Sequence, residues 1–541
     1  MGSATAIVKN MDKNGVNVTI EYTKDGHTIV KSIAFLNPIE RSVQDLLTEL
    51  TRFVVKEVGD GTTSAIILCK TVFDALCDDE EIQKLPASQV IKLFSEAINT
   101  ISEAILSKAR ECTIDDIYDI ALISTNNNED IALTIKNVYE KYGMDVMIDV
   151  GISNEVNNIV KEYDGMTLET GFTDMCFVND REKNRAYVRN PNIYCFYDPI
   201  DTPEMLNMLD AILQNNILKA YQQGSEYEPI PTVIFGKSIS PDTSSYFETV
   251  VKLMNAYPGQ IPLLMVTDIH QDYLYEDIAK MCGAPFIKKY LNPELQQIDI
   301  DKGLAPTLDT IIDFCGHADL VEADQLKTKI INPSKMFDEN GNYSEDYTML
   351  LNYLETQVTK LKNEDAGINE ISKAKRRLNS LKGCMIDFLV GGVTLADRNN
   401  LKASVEDAVL NCKSAAANGV GYGANFMAIE ALYNIEQDEY IANPIFAILD
   451  KAYLELFKIL YRCDEDDARG IIFNSLGYNL DTKCVKGPLN IATNKHDGKV
   501  LSSIRSDVVI LETINKILTL MFTCNQYLIQ SPAHNIYIAD E

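Results

Sequence analysis

The chain is 541 residues long, 46% apolar and 24% charged, with a formal net charge of −30 at pH 7. That length exceeds what one hydrophobic core usually supports, so roughly two to four domains are expected. The acidic balance argues against nucleic acid or an anionic membrane surface as partners, since both would repel it. Five histidines, and twelve cysteines with no CxxC pair, argue against zinc or Ser-His-Asp hydrolase chemistry; the thiols read as reduced and mostly buried. No apolar run reaches the roughly 20 residues that cross a bilayer. No signal-peptide pattern opens the chain, so a cytoplasmic location is the expectation.

In chain order, the first chemically loaded segment is Thr23-Lys24-Asp25-Gly26. Val43, Leu46, Leu47, Leu50, Phe53 and Val54 then recur at helical spacing and predict one amphipathic helix. Gly59-Asp60-Gly61-Thr62-Thr63 ends that helix and opens another over 62–76. Glycines at such a junction let backbone N–H groups approach a phosphate at a helix N-terminus. The hydroxyls of Thr62, Thr63 and Ser64 add donors, and Asp60 supplies the hard oxygen that a phosphate-bound Mg²⁺ takes. Alone, GDGTT is more often a capped loop than a nucleotide site; its pairing with TKDG makes it specific.

Residues 164–384 mix short apolar runs of strand type (232–235, 262–266) with amphipathic helical patterns (204–213, 273–281), an α/β layer signature. A long helical pattern over 347–381 places Leu350, Leu351, Leu354, Val358 and Leu361 on one side, after a polar loop at 338–346. Farther on come 404–408 (SVEDA), the glycine-rich 418–425 (NGVGYGAN), 478–480 (YNL) and 496–500 (HDGKV). Read alone, Asp407 is a solvated helical acid or cap. The tail after 530 is expected to be poorly ordered.

TKDG and VKEVGDGTTSA resemble the equatorial ATP-binding elements of chaperonins, the ring-forming ATPases that enclose non-native proteins. The resemblance implies a multidomain chaperonin fold: a mostly α-helical equatorial domain (1–107 and 419–541), an α/β intermediate domain (108–163 and 385–418) and an α/β apical domain (164–384). SVEDA resembles the family's RVEDA, whose aspartate activates the attacking water, which carries that role to Asp407. Asp25 resembles the second acid near the γ-phosphate, and Lys24 the lysine that accompanies a monovalent cation, K⁺. Gly59, Asp60, Gly61, Thr62, Thr63 and Ser64 fall on the phosphate and Mg²⁺ positions, and Gly423 on the glycine-rich nucleotide turn. Ser124 lies in 123–126, similar to the ISAN strand that lines the pocket. Asn479 and Leu480 match the base-contacting YNA, and Asp497 a ribose-binding aspartate. Gly165, Gly383 and Gly419 sit where the family places hinges.

In the apical segment, 164–172 resembles EGMQFDRGY and 204–209 resembles the EMLPVL helix. This carries Phe172, Cys176, Phe177, Leu206 and Leu209, with Leu274 and Ile278 on the next helix, onto positions that capture unfolded polypeptide. Such capture favours adaptable apolar side chains, although an apolar helical stripe is usually core. The apical match and SVEDA favour the GroEL type (group I-like), in a divergent, acidic, Asn- and Ile-rich form of a kind a virus could encode. The resemblance further implies a closed homo-oligomeric ring of about seven subunits built on one repeated contact, non-native polypeptide clients and a co-chaperonin cap.

Two departures stand out. The family's LGPKG loop is reduced to Asp12-Lys13-Asn14-Gly15, and its GGG reads Gly423-Ala424-Asn425. They favour an alternative reading, a ring that binds clients or scaffolds assembly without productive hydrolysis. A small-molecule kinase is disfavoured, because no GxxxxGK[ST] is present.

Overall fold

A computed structural model of the chain describes residues 6–523, except 12–17, 24, 25, 34, 36, 145, 182, 183, 222–226, 239–243, 268, 270, 339–342, 364–369, 371–373, 375, 376, 379, 380, 382–384, 480–483 and 497. Two compact units result, one from 1–160 with 387–541 and one from 161–386.

The first unit is helical. Pro38–Val58 starts where Asn37 accepts the Ile39 N–H and Pro38 occupies the first turn, and it stops at Gly59, whose φ of 78° suits glycine. Its buried side chains Leu50, Val54 and Val58 share one core with Leu68 and Val72 of Thr62–Asp78, and with Phe94, Ile98 and Ile101 of Ala87–Leu106. The Phe426–Tyr433, Ile445–Tyr461 and Arg505–Thr523 helices complete that core. Beside it, a capping box between Thr113 and Asp116 starts Ile114–Ser124. That helix packs against the 24-residue Leu395–Asn418 helix, which Thr394 caps and Gly419 ends at φ 100°. The chain then returns as Val420–Tyr422, antiparallel to Leu501–Ser503.

The second unit is built on an eight-stranded mixed sheet. Asn192–Phe196, Thr232–Gly236 and Leu263–Val266 run parallel, and Gly316–Ala323, Thr328–Pro333 and Gly165–Leu168 extend the sheet antiparallel. Every residue of Thr232–Gly236 and Leu263–Val266 is buried, as expected of parallel strands covered on both faces. Helices Pro203–Asn216, Asp272–Cys282 and Glu345–Asn363 contribute Leu209, Ile278, Leu350 and Leu354 to its core. The expected α/β alternation is present, with the 347–381 pattern realised as a helix over Glu345–Asn363. Among the described residues, no helix is long and apolar enough to cross a membrane.

Candidate functional site

The first unit holds a cleft of about 540 Å³ lined by residues from its two chain segments. Asp60, Gly61, Thr62, Thr63, Ser64, Ser124, Asp407 and Gly423 all line it. The backbone makes the junction. Gly61 is the N-cap of Thr62–Asp78 at φ 94°, and no side chain caps that end, so the helix presents its N-terminus to the cleft. Gly59 lies against the middle of Leu395–Asn418. A β-carbon there would sit 2.4 Å from Leu410 Cβ and 2.9 Å from the Asp407 carbonyl oxygen. That close approach holds the Asp60 loop on the helix turn that carries Asp407. Gly26, the last residue of TKDG, also packs closely on this junction, its notional β-carbon 2.9 Å from Thr62 Oγ1 and 3.2 Å from Thr63 Oγ1.

A chain of hydrogen bonds crosses the cleft floor. Gly61 N–H donates to Asp60 Oδ1 at 2.6 Å, and Ser124 Oγ donates to Asp60 Oδ2 at 3.5 Å. The Ser124 hydroxyl in turn accepts from Asn411 Nδ2 at 3.2 Å. Asn411 Oδ1 accepts from Ser503 N–H at 3.0 Å and from Ser502 Oγ at 3.3 Å. Asn411 is buried one helical turn beyond Asp407, so a single amide ties the Asp407 helix, the Ser124 helix and the Leu501–Ser503 strand together.

A third acid, Asp507, is buried in the cleft wall. Its Oδ1 accepts from Asn425 Nδ2 at 3.0 Å and its Oδ2 from Ala428 N–H at 3.1 Å, which anchors the start of Phe426–Tyr433. Burial pushes its carboxyl up to about 7, against the lowering effect of those donors. The two residues before that helix, Ala424 and Asn425, adopt φ of 57° and 60°, a region where glycine is ordinarily used. Apolar lining comes from Leu460, Tyr461, Leu489, Ile491, Val500 and Ile510.

Asn479 is in the short strand Tyr478–Asn479, paired with Cys484–Val485. Lys24, Asp25, Leu480, Asp497 and Gly383 lie outside the described residues. The segment 123–126 is no strand: Ser124 ends the Ile114–Ser124 helix, and Asn126 and Asn127 turn the chain at φ 55° and 63°. Thr113 nucleates a helix there, and the hydroxyl reaches the cleft from its C-terminal end. Gly419 is a C-cap whose β-carbon would meet the Arg110 carbonyl at 2.8 Å. Gly165 begins a strand, where a β-carbon would lie 2.0 Å from Ile330 O.

The profile of the TCP-1/cpn60 chaperonin family matches residues 9–460. The chain belongs to that family. It is 26% identical over 427 residues to the chaperonin GroEL of Anaplasma phagocytophilum, covering 77% of this chain and 71% of that protein. Its fold is similar to two crystal forms of the chaperonin gp146 from bacteriophage EL 2 (Pseudomonas aeruginosa), both determined in the presence of ATP-BeFx. One has a TM-score of 0.69 at 16% identity, covering 96% of this chain and 92% of the other. The second has a TM-score of 0.63 at 17% identity, covering 98% and 94%. The chain is thus a divergent GroEL-type chaperonin with the chaperonin fold.

The client positions expected in this chaperonin's second unit need correction. Phe177, Leu209 and Ile278 are 2%, 1% and 0% exposed and belong to the unit's core, and Phe172 is buried with them. Cys176, Leu206 and Leu274 are half-buried against the same core. The reason is the ordinary one for an amphipathic helix on a sheet: the stripe that includes Met205, Leu209, Ile212 and Leu213 is the face turned inward. In this conformation none of these side chains is offered whole to a client.

Asn411 and Asp507 were not singled out in the sequence. The available signal is a polar residue inside an otherwise apolar helical stripe: Asn411 among Ala408, Cys412 and Ala415, and Asp507 among Ile504, Val508, Ile510 and Leu511.

Proposed function

We propose that this chain is the subunit of an ATP-dependent chaperonin that binds non-native polypeptides and promotes their folding, driven by Mg²⁺-ATP hydrolysis. The observation that carries it is the meeting of an uncapped helix N-terminus, Asp60 and Asp407 around one cleft, locked together by the contact of Gly59 with the Asp407 turn. In this reading the 62–64 N–H groups and hydroxyls hold phosphate oxygens, and Asp60 helps hold the metal.

The residues present fit Mg²⁺. Among the described residues no cluster of three or more His, Cys, Asp or Glu side chains could cage a metal. Mg²⁺ typically takes one or two carboxylates together with substrate phosphates. When bound, the ion would neutralise phosphate charge. Asp407 orients the attacking water, as phosphoryl transfer to water needs a positioned acceptor. Ser124 and Asn411 set the Asp60 carboxylate in place. Leu489, Ile491 and Tyr461 suit the flat apolar face of a base. Asp25 and Lys24, with K⁺, keep the roles that the resemblance implies.

The equatorial, intermediate and apical division at 107/108, 163/164, 384/385 and 418/419 belongs to the same proposal, and the 161–386 unit supports its apical span. So do assembly into a ring of about seven copies, a co-chaperonin cap and action in the cytoplasm. A second reading, a ring that binds clients without turning over ATP, is favoured by Ala424 and Asn425 standing in left-handed backbone where the family has glycine. Steady-state phosphate release separates the two. Mg²⁺-dependent release by purified protein that images as a ring supports the first, whereas tight ATP binding with no release selects the second.

A further inference from the structure

Among the described residues of the second unit, 291–308 is a segment most of whose large apolar side chains its own fold leaves uncovered. The Pro293–Asp301 helix is well terminated: Asn292 Oδ1 accepts the Glu294 N–H at 2.9 Å, and Leu304 N–H returns to the Asp299 carbonyl at 2.7 Å. Yet none of its residues is buried. Leu295 and Ile298, three residues apart on one face, are 55% and 45% exposed, and Leu291, Leu304 and Leu308 beside them are 93%, 61% and 53% exposed. Burying each such side chain contributes about 1.5–3 kcal/mol. A fold selected for stability alone would cover them, and exposed apolar groups gathered in this way mark interaction surfaces.

We infer that residues 291–308 form a docking surface for unfolded polypeptide, an inference that rests on the client-binding reading above. Size and charge select this occupant. A nine-residue helix is only about 14 Å long, whereas a stable subunit contact takes about 800 Å² and 20–30 residues from each side. The exposed Glu294, Asp301 and Asp309 border the apolar groups, and Lys302 is the sole base in 291–309. A second copy meeting this surface with the same face would bring Glu294, Asp301 and Asp309 against their counterparts. An extended chain offering aliphatic or aromatic side chains with Lys or Arg nearby meets both features. Each contact is weak, and repetition around an assembly multiplies it.

The test uses full-length protein and labelled, reduced and carboxymethylated α-lactalbumin, a permanently unfolded probe, read by anisotropy. The double variant Leu295→Ser/Ile298→Ser is expected to bind the probe at least tenfold more weakly, with thermal unfolding, oligomer mass and phosphate release unchanged. Leu326→Ser, exposed elsewhere in the unit, should bind as wild type does. Undiminished binding by the double variant overturns the inference while leaving the client reading intact. A fall in oligomer mass also overturns it, by assigning the segment to a subunit contact. Wild-type protein that binds no probe overturns the client reading itself. Independently of the variants, a photoreactive residue at Leu304 should crosslink to the probe; crosslinks to neighbouring subunits alone would contradict the inference.

Discussion

Each unit buries an aspartate, Asp507 in the first and Asp277 in the second, and the two are held in opposite ways. In the first, Asp507 sits in the wall of an open cleft with only amide donors for company, and burial raises its carboxyl to about 7. In the second, Asp277 is fully buried too, but burial takes it only to about 6, because the Arg377 guanidinium donates to both oxygens at 2.8 and 3.1 Å. One unit leaves a near-neutral acid beside space where a charged ligand can enter; the other neutralises its acid internally and closes. The polar chain from Asp60 through Ser124 and Asn411 to Ser503 belongs to the same pattern. Buried polar groups are costly unless satisfied. In the first unit such a satisfied chain lies at the cleft floor.

This contrast can be broken in several places. The largest effect is expected in the closed unit. Phe177→Ala should lower its stability by about 3–5 kcal/mol and Leu209→Ala by about 2–5 kcal/mol, measured by denaturant unfolding; changes under 1 kcal/mol would mean that these side chains are not core. In the cleft, Asp407→Ala should slow phosphate release by roughly two to three orders of magnitude, the usual cost of losing a positioned acceptor or donor. Gly59→Ala should destabilise the first unit by about 2–4 kcal/mol, since it adds left-handed strain to a clash with Leu410 and the Asp407 carbonyl. It should weaken ATP binding as well.

Asp507 sharpens the comparison through pH. Its folded pKa lies above the unfolded value, so its contribution to stability is fully present below about pH 4 and is lost as pH rises through about 7. Thermal scans between pH 6 and 8 should show Asp507→Asn gaining on wild type as pH rises. A pH-independent difference would place the titration elsewhere. The smallest effect is at Ala424, where glycine should be neutral or stabilise by about 1 kcal/mol, because it relieves a φ of 57°.

How much of this was legible depends on what each residue's role requires. Gly59 and Gly61 need φ of 78° and 94° and an absent β-carbon, so their identity carries nearly the whole meaning, and the phosphate-type junction could be read directly. Asp407 was legible only with SVEDA around it. Asn411 and Asp507 were not, because their partners Ser124, Ser503 and Asn425 come from distant segments that local pattern cannot order. Ser124 was read onto a strand and belongs to the end of a helix, yet its hydroxyl reaches the cleft either way. The apolar positions of the second unit were the least legible. Leu209 and Leu295 look alike in sequence; only packing makes one core and leaves the other 55% exposed.

The central claim, that Asp60 and Asp407 serve one Mg²⁺-ATP in different roles, is tested most directly by calorimetric titration of Mg²⁺-ATP into wild type, Asp407→Ala and Asp60→Ala. Wild type and Asp407→Ala should bind with affinities within a few-fold of each other, and Asp60→Ala at least tenfold more weakly. Loss of binding in Asp407→Ala, or wild-type affinity in Asp60→Ala, would contradict it.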